Sequence, residues 1–248
     1  MLQVAVRGKL LKRCFGAAKA VVDQGLLRFS SAGLAFGELD SAHVCFVAVR
    51  IERAACSRFS VPHDAEVGLA LPALCKILNF ANPDDLVQLA YAPGKDHLEV
   101  QIVSAQRKLD FELKVLHIEG DQRNMDMAYE SWAVLPATEF RSTCRALADL
   151  RFSDTLRVEL APSALTFRLP DGMGRRTYGA GDDAALRALH CPTGAAGVSV
   201  ALSRLQLFHC DADQEVRIEV DERLPLRLST QDLGATVQLY IAQQEAQD

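Results

Sequence analysis

The sequence predicts an α+β chain built from two copies of one domain, each an antiparallel sheet with its helices on one face. Three observations predict it. Apolar segments recur in the same order about 131 residues apart, strand-like runs alternate apolar and polar residues, and helix-like runs are separated from one another by strands.

The repeat is visible element by element. Strand Leu2 to Val6 leads into a helical pattern from Lys9 to about Val22, and Ser131 to Leu135 leads into another from Thr138 to about Leu150. Leu26 to Phe29, a small turn and Leu34-Ala35-Phe36 correspond to Leu156 to Leu160, a turn and Leu165-Thr166-Phe167. Val67-Gly68-Leu69-Ala70-Leu71 returns as Val198-Ser199-Val200-Ala201-Leu202, and a short helical segment follows each, Pro72 to Ala81 and Ser203 to Cys210. Acidic turns, Asp84-Asp85 and Asp211 to Asp213, then precede the alternating strands Leu86 to Tyr91 and Glu215 to Val220. Such alternation buries one face of an antiparallel sheet, and Pro93-Gly94-Lys95-Asp96 and Pro170-Asp171-Gly172 mark hairpins. Two copies fill the chain: an N-terminal domain over 1–116, a polar connector without periodicity over 117–128, and a C-terminal domain over 129–248.

Composition narrows the function. The 248 residues carry 27 Lys and Arg against 32 Asp and Glu, a net charge of −5, so any contact with nucleic acid must come from how charge is distributed. No run of eighteen apolar residues exists, so no membrane span is expected, and Met1 to Val6 does not read as a secretory signal. Cys14, Cys45, Cys56, Cys75, Cys144, Cys191 and Cys210 are odd in number and scattered, which reads as buried thiols in a reducing compartment.

The cations have a pattern. Lys9, Lys12, Arg13 and Lys19 are spaced to share one face of the first helix, opposite Leu10, Leu11, Phe15, Ala18 and Val22. Arg141 and Arg145 lie four apart on the corresponding helix, with Arg151 just beyond, and Lys76 and Arg204 fall on the two short helices. A single basic helix face is commonly just solvated surface. Recurrence on corresponding helices of both copies argues for a lining that follows phosphates, a task that needs charge but no base code.

With these features in place, the chain resembles the proliferating cell nuclear antigen family, the trimeric sliding clamps of eukaryotes and archaea. The resemblance rests on Leu10-Leu11-Lys12-Arg13, Leu39-Asp40-Ser41-Ala42-His43-Val44, Leu74-Cys75-Lys76-Ile77-Leu78, Phe111-Glu112-Leu113-Lys114, Glu139-Phe140 with Cys144-Arg145, Leu224-Pro225-Leu226 and Tyr240-Ile241-Ala242. It implies a head-to-tail homotrimeric ring with sheets outside and helices on the inner face around double-stranded DNA. It places Lys12, Arg13, Lys19, Lys76 and Arg145 among DNA-facing cations. It also places Leu39, His43, Val44, Pro225, Tyr240, Ile241 and Ala242 around a docking pocket for short partner peptides, with Met125 and Met127 as its apolar connector side. DNA polymerase, the clamp loader and other replication and repair proteins are the implied partners, and the nucleus the implied location. The chain departs from the family at Cys210 and Asp149, where basic residues are common, and at Gln243, where proline is usual; Arg151 and Arg204 are candidates to compensate. Those losses motivate an alternative, a subunit of a heterotrimeric clamp such as the DNA-damage checkpoint clamp.

No catalytic signature stands out. His190-Cys191 and His209-Cys210 lack the paired spacing of a zinc site, so no metal and no cofactor is expected. Gly172-Met173-Gly174 does not join a strand to a helix, and no G-x-S-x-G surrounds a serine. A small-molecule enzyme on a duplicated α/β fold is the remote alternative; it requires a deep pocket with converging titratable groups.

Overall fold

The computed structural model describes residues 1–119, 125, 127–150, 154–170, 172–181, 185–192 and 194–244. The connector expected over 117–128 therefore lies partly outside the described residues, as do Arg151 and the Asp171 of the second hairpin. The chain forms two compact units, Met1–Arg123 with Gln231–Val237, and Asn124–Thr230 with Gln238–Asp248. Each is described on its own.

The first unit begins with β1 (Leu2–Arg7), α1 (Gly8–Lys19), β2 (Gln24–Ser30), β3 (Gly33–Leu39) and β4 (Cys45–Glu52). It continues with β5 (Arg58–Ser60), β6 (Ala65–Ala70), α2 (Leu71–Leu78), β7 (Leu86–Tyr91), β8 (His97–Val103) and β9 (Lys108–Lys114). One sheet runs β5-β1-β7-β8-β9; β6, β2, β3 and β4 are consecutive neighbours in another. The second unit holds β10 (Ser131–Pro136), α3 (Ala137–Leu150), β11 (Thr155–Ala161), β12 (Ala164–Arg168), β13 (Arg175–Gly179), β14 (Ala188–His190) and β15 (Ala196–Ala201). Then come α4 (Leu202–Leu205), β16 (Glu215–Val220), β17 (Leu226–Asp232) and β18 (Ala235–Ile241). Its strands follow the same plan, β14-β10-β16-β17 and β13-β12-β11-β15.

The duplication holds at the level of single hydrogen bonds. The Gly8 N–H donates to the Asp85 carbonyl at 2.7 Å, and 129 residues later the Ala137 N–H donates to Gln214 at 3.0 Å. Between the long and the short helix the offset is 131: Leu71 bonds Asp23 as Leu202 bonds Asp154, and Leu27 faces Phe36 as Val158 faces Phe167. The change arises in the long helix, 12 residues in α1 and 14 in α3.

Local chemistry explains the long helices. No side chain caps α1, yet its first amides are satisfied, Gly8 by Asp85 and Lys9 by the Pro83 carbonyl at 3.0 Å. That approach needs glycine, because a Cβ at Gly8 would lie 2.6 Å from the Asn82 carbonyl oxygen. Leu10, Leu11, Cys14, Phe15 and Ala18 then form the buried face. Each large apolar side chain so buried contributes about 1.5–3 kcal/mol.

The short helices are shorter than the sequence suggests. α2 ends at Leu78 rather than Ala81, and α4 covers Leu202–Leu205 rather than Ser203 to Cys210. After Leu205 the chain tightens into three-residue turns, Leu207 N–H to Arg204 at 3.2 Å and Phe208 N–H to Leu205 at 3.1 Å. This turns Phe208 inward, edge-on to Phe140 with ring centres 6.2 Å apart. All seven cysteines are free thiols, five of them buried. Among the described residues no helix is long and apolar enough to cross a membrane.

Candidate nucleic-acid face and partner pocket

In the first unit, α1 turns Lys9 and Lys19 outward, and α2 does the same with Lys76. Lys12 and Arg13 depart from the common face expected of them. Lys12 is half-buried and its Nζ donates to the Ala81 carbonyl just past α2, where a cation suits the negative end of a helix. Arg13 is almost enclosed, its side chain 9% exposed, and its guanidinium pairs with Asp232 in the hairpin tip that belongs to this unit. Its charge is directed to an internal carboxylate rather than outward. Burial pushes the neighbouring Cys14 thiol up to about 12, reinforced by Asp232 and opposed by Arg13.

In the second unit, Arg141 and Arg145 are exposed on α3, and Arg204 is half-buried on α4. Because α4 stops after one turn, a groove of about 260 Å³ opens beside α3. Arg141, Arg145, Gln206 and His209 stand around it, over Phe140, Cys144, Leu205, Phe208 and Cys210. Burial pushes the Cys144 thiol up to about 12 and that of Cys210 to about 11.

The residues expected around a peptide pocket divide between the units. In the first, Leu39 and His43 line a polar-rimmed cavity of about 210 Å³ with Arg28, Glu38, Phe46 and Glu119. The loop is fixed by Asp40, whose carboxylate accepts the Val44 N–H at 2.8 Å and the Cys45 N–H at 2.9 Å. His43 at its crest has a left-handed backbone, φ 57°, and is exposed, while Val44 is half-buried.

In the second unit the Tyr240 hydroxyl donates to the Met125 carbonyl at 2.9 Å, and the Tyr129 hydroxyl to the Pro225 carbonyl at 2.6 Å. Arg227 donates to the Met127 carbonyl at 3.0 Å while its guanidinium pairs with Glu219. These bonds gather Met125, Met127, Pro225 and Tyr240 into one cluster. Burial works most strongly against the charge of Arg227, but hydrogen bonds and charge from Glu219 and Tyr240 together outweigh it and raise its pKa. Burial also raises that of Tyr129. Ile241 is fully buried and Ala242 exposed. Gln243 fastens the exit of β18, its Nε2 donating to the carbonyls of Glu222 at 3.0 Å and Leu224 at 2.7 Å.

Sequence reasoning missed Tyr129, Glu219 and Arg227 as anchors of the methionines, and Gln206 and His209 as groove residues. Tyr129, beside the connector, was the one aromatic signal available. Among the described residues no three His, Cys, Asp or Glu side chains gather as a metal site.

A family model described as proliferating cell nuclear antigen, N-terminal domain, matches residues 1–124. Proliferating cell nuclear antigen 2 of Drosophila melanogaster is 29% identical over 168 residues, spanning 66% of this chain and 65% of that protein, just under two thirds of its length. The structure of PCNA from Thermococcus kodakaraensis matches with a TM-score of 0.88 at 19% identity, over 98% of this chain and 100% of that one. The proliferating cellular nuclear antigen of Entamoeba histolytica matches at 0.86 and 21%, over 98% of each chain. A. fulgidus PCNA, solved with the C-terminal region of FEN-1, matches at 0.86 and 19% over the full length of both. At these identities the structural likeness establishes the fold: α+β, duplicated, antiparallel.

Proposed function

Since the chain belongs to the proliferating cell nuclear antigen family, we propose that it is a subunit of a DNA sliding clamp, a ring that encircles duplex DNA and tethers polymerases and other replication and repair proteins. The observation that carries this is the recurrence of exposed cations, Lys9 and Lys19 on α1, then Arg141 and Arg145 on α3, the corresponding helices of two units whose strands follow one plan. Such a lining holds phosphates without reading bases. Tethering needs no catalytic group, because it acts by raising a tethered enzyme's local concentration on DNA. A nuclear location and a clamp loader belong to the same reading.

Ring closure is supported by two edges. β9 ends one sheet of the first unit and β13 ends one sheet of the second, and because unpaired edges seek partners these two strands are expected to pair between subunits. The A. fulgidus relative binds the C-terminal region of FEN-1. We carry a peptide-docking role to the His43 loop and the Met125–Met127 cluster. Native mass spectrometry of the purified chain tests the assembly: a mass about three times that of the monomer is expected, and a strict monomer points instead to a heterotrimer. A labelled partner-motif peptide tests docking. His43→Asn, which keeps the left-handed backbone accessible, is expected to weaken it; no binding by the wild type overturns the docking role.

A further inference from the structure

We infer that the sheet face of the second unit turned away from α3 is a docking surface for a carboxylate-rich segment of a partner protein, held by the row Arg157, Arg168 and Arg175. The inference goes beyond the clamp reading and needs neither a ring nor DNA.

The row follows from strand register. Arg157 on β11 lies directly opposite Arg168 on β12, and Arg168 directly opposite Arg175 on β13. Successive side chains of a strand point to opposite faces. Val158 and Phe167, next to the first two arginines, are fully buried on the other face. On that buried side the hydroxyls of Tyr178 and Thr143, the latter on α3, lie 2.5 Å apart, so α3 and the arginine row occupy opposite faces. The side chains of Arg157 and Arg168 are 38% and 48% exposed, and Arg175 is exposed as well.

Like charges directly opposite one another weaken a sheet, so the row calls for an anion. Glu159 is the one carboxylate on this face of strands β11, β12, β13 and β15. It accepts from Arg157 at 2.6 Å and from Arg168 at 3.3 Å, while Arg175 donates to the neutral Thr177 hydroxyl at 3.2 Å. The rest of the face is Thr, Ser, Ala and Gly, low enough for a chain to lie close to the guanidiniums. A Cβ at Gly197 would stand 2.8 Å from the Arg157 Nη2, so glycine leaves that guanidinium room along the sheet. Guanidinium pairs with carboxylate through two parallel hydrogen bonds. Neighbouring strands lie about 4.8 Å apart, so the row spans about 10 Å, which an extended peptide crosses in about three residues. The face has no aromatic side chain on which a base would stack, the usual device for single-stranded nucleic acid. Pairing of β13 along its backbone edge leaves these side chains, which stand perpendicular to the sheet, open to a partner.

The test titrates the full-length chain into a fluorescein-labelled peptide of alternating Glu and Ser at low salt, beside the same peptide with Gln for Glu and a labelled single-stranded oligonucleotide. The Glu peptide is expected to bind and the Gln peptide not to. Arg168→Thr and Arg175→Thr are each expected to weaken binding about two- to fivefold, the worth of an exposed ion pair. Lys9→Ala, on the helix face of the other unit, is expected to leave it unchanged. The unfolding temperature of Arg168→Thr is expected to hold or rise, because the substitution relieves like-charge repulsion; a clear fall makes the row a structural device and overturns the docking surface. Failure of the wild type to bind the Glu peptide, or equal binding by the doubly substituted Arg168→Thr, Arg175→Thr chain, also overturns it. So does an oligonucleotide that binds more tightly than the Glu peptide and is released by the same double substitution. Each of these outcomes leaves the clamp reading where the helix cations put it.

Discussion

Arg227 lies against Glu219 across the β16–β17 pair, its Nη2 2.6 Å from one carboxylate oxygen, and Glu219 is only 3% exposed. Arg217 shares the same carboxylate at 3.1 Å. Arg227 reaches on to the Met127 carbonyl, so one buried acid holds the residue that holds the connector.

Arg227→Met is therefore expected to act twice. Removing one partner of a buried pair costs about 3–5 kcal/mol, which the half-buried Arg217 moderates. Thermal unfolding should show a clear loss. Peptide binding should weaken further than stability explains, because Met127 loses its tether. An unfolding temperature equal to the wild type's would remove the argument that this pair organises the second unit.

Arg13 and Lys19 are expected to separate stability from DNA association. Arg13→Ala deletes a hydrogen-bonded ion pair with Asp232, worth about 1.5–3 kcal/mol, and should lower the unfolding temperature while barely changing the salt dependence of DNA binding. Lys19→Ala should leave stability intact and reduce the salt slope by about one. The reverse pattern would return Arg13 to the outward face that helical periodicity assigned it.

These two arginines also mark where the sequence stops being legible. Period-two and helical patterns, with the repeat, are enough for the duplicated sheets and for α1 and α3, since those depend on local spacing and on which face is apolar. Asp232 is far from Arg13 in sequence, and no local pattern pairs them. Glu219 sits in Arg217-Ile218-Glu219-Val220, which alternation reads as an exposed polar position. The fold buries it because Arg227 and Arg217 converge there. α4 is shorter than its sequence suggests because Leu205-Gln206-Leu207-Phe208 continues a helical spacing of apolar residues, whereas burying Phe208 against Phe140 goes with a tighter turn. Cations on helices were visible; which of them face inward to an acid was not.

Asp85 gives an acid sensitivity with a definite sign. Its carboxylate accepts the Asn82 N–H at 2.8 Å and pairs with Arg107 at 3.2 Å, and its pKa is lowered, chiefly by the Asn82 bond. A lowered folded pKa contributes stability above the unfolded value, about 4, and that contribution is lost as pH falls through the folded value. The unfolding temperatures of wild type and Asp85→Asn should differ near neutral pH and converge in strong acid. A gap that persists there would show that the asparagine harms the turn for reasons other than charge.

Thiol reactivity should follow burial. Burial raises all four thiols, Cys14 and Cys144 to about 12, Cys56 to about 11 and Cys75 in the same direction, but Cys14 and Cys144 are buried while Cys75 and Cys56 are half-buried and reachable. Mass spectrometry of the folded chain after brief alkylation should find label first at Cys75 and Cys56. Early labelling of Cys144 would mean that the floor of the α3 groove opens readily.

Of the two edge strands, β9 carries Lys108, Asp110, Glu112 and Lys114, with Lys108 paired to Asp110 at 3.2 Å and Phe111 stacked on Phe80 at 5.6 Å, while β13 carries Arg175 and Arg176. Phe80 is 55% exposed, an unusual position for a large apolar ring on a lone subunit. If these edges meet head to tail, Phe111→Asp should break the stack and put a hydrated charge in place of an apolar ring at the contact, and native mass spectrometry should show monomers. Circular dichroism should stay unchanged, because Phe111 lies on an edge strand outside the core. Trimers that survive Phe111→Asp would move the subunit contact away from β9.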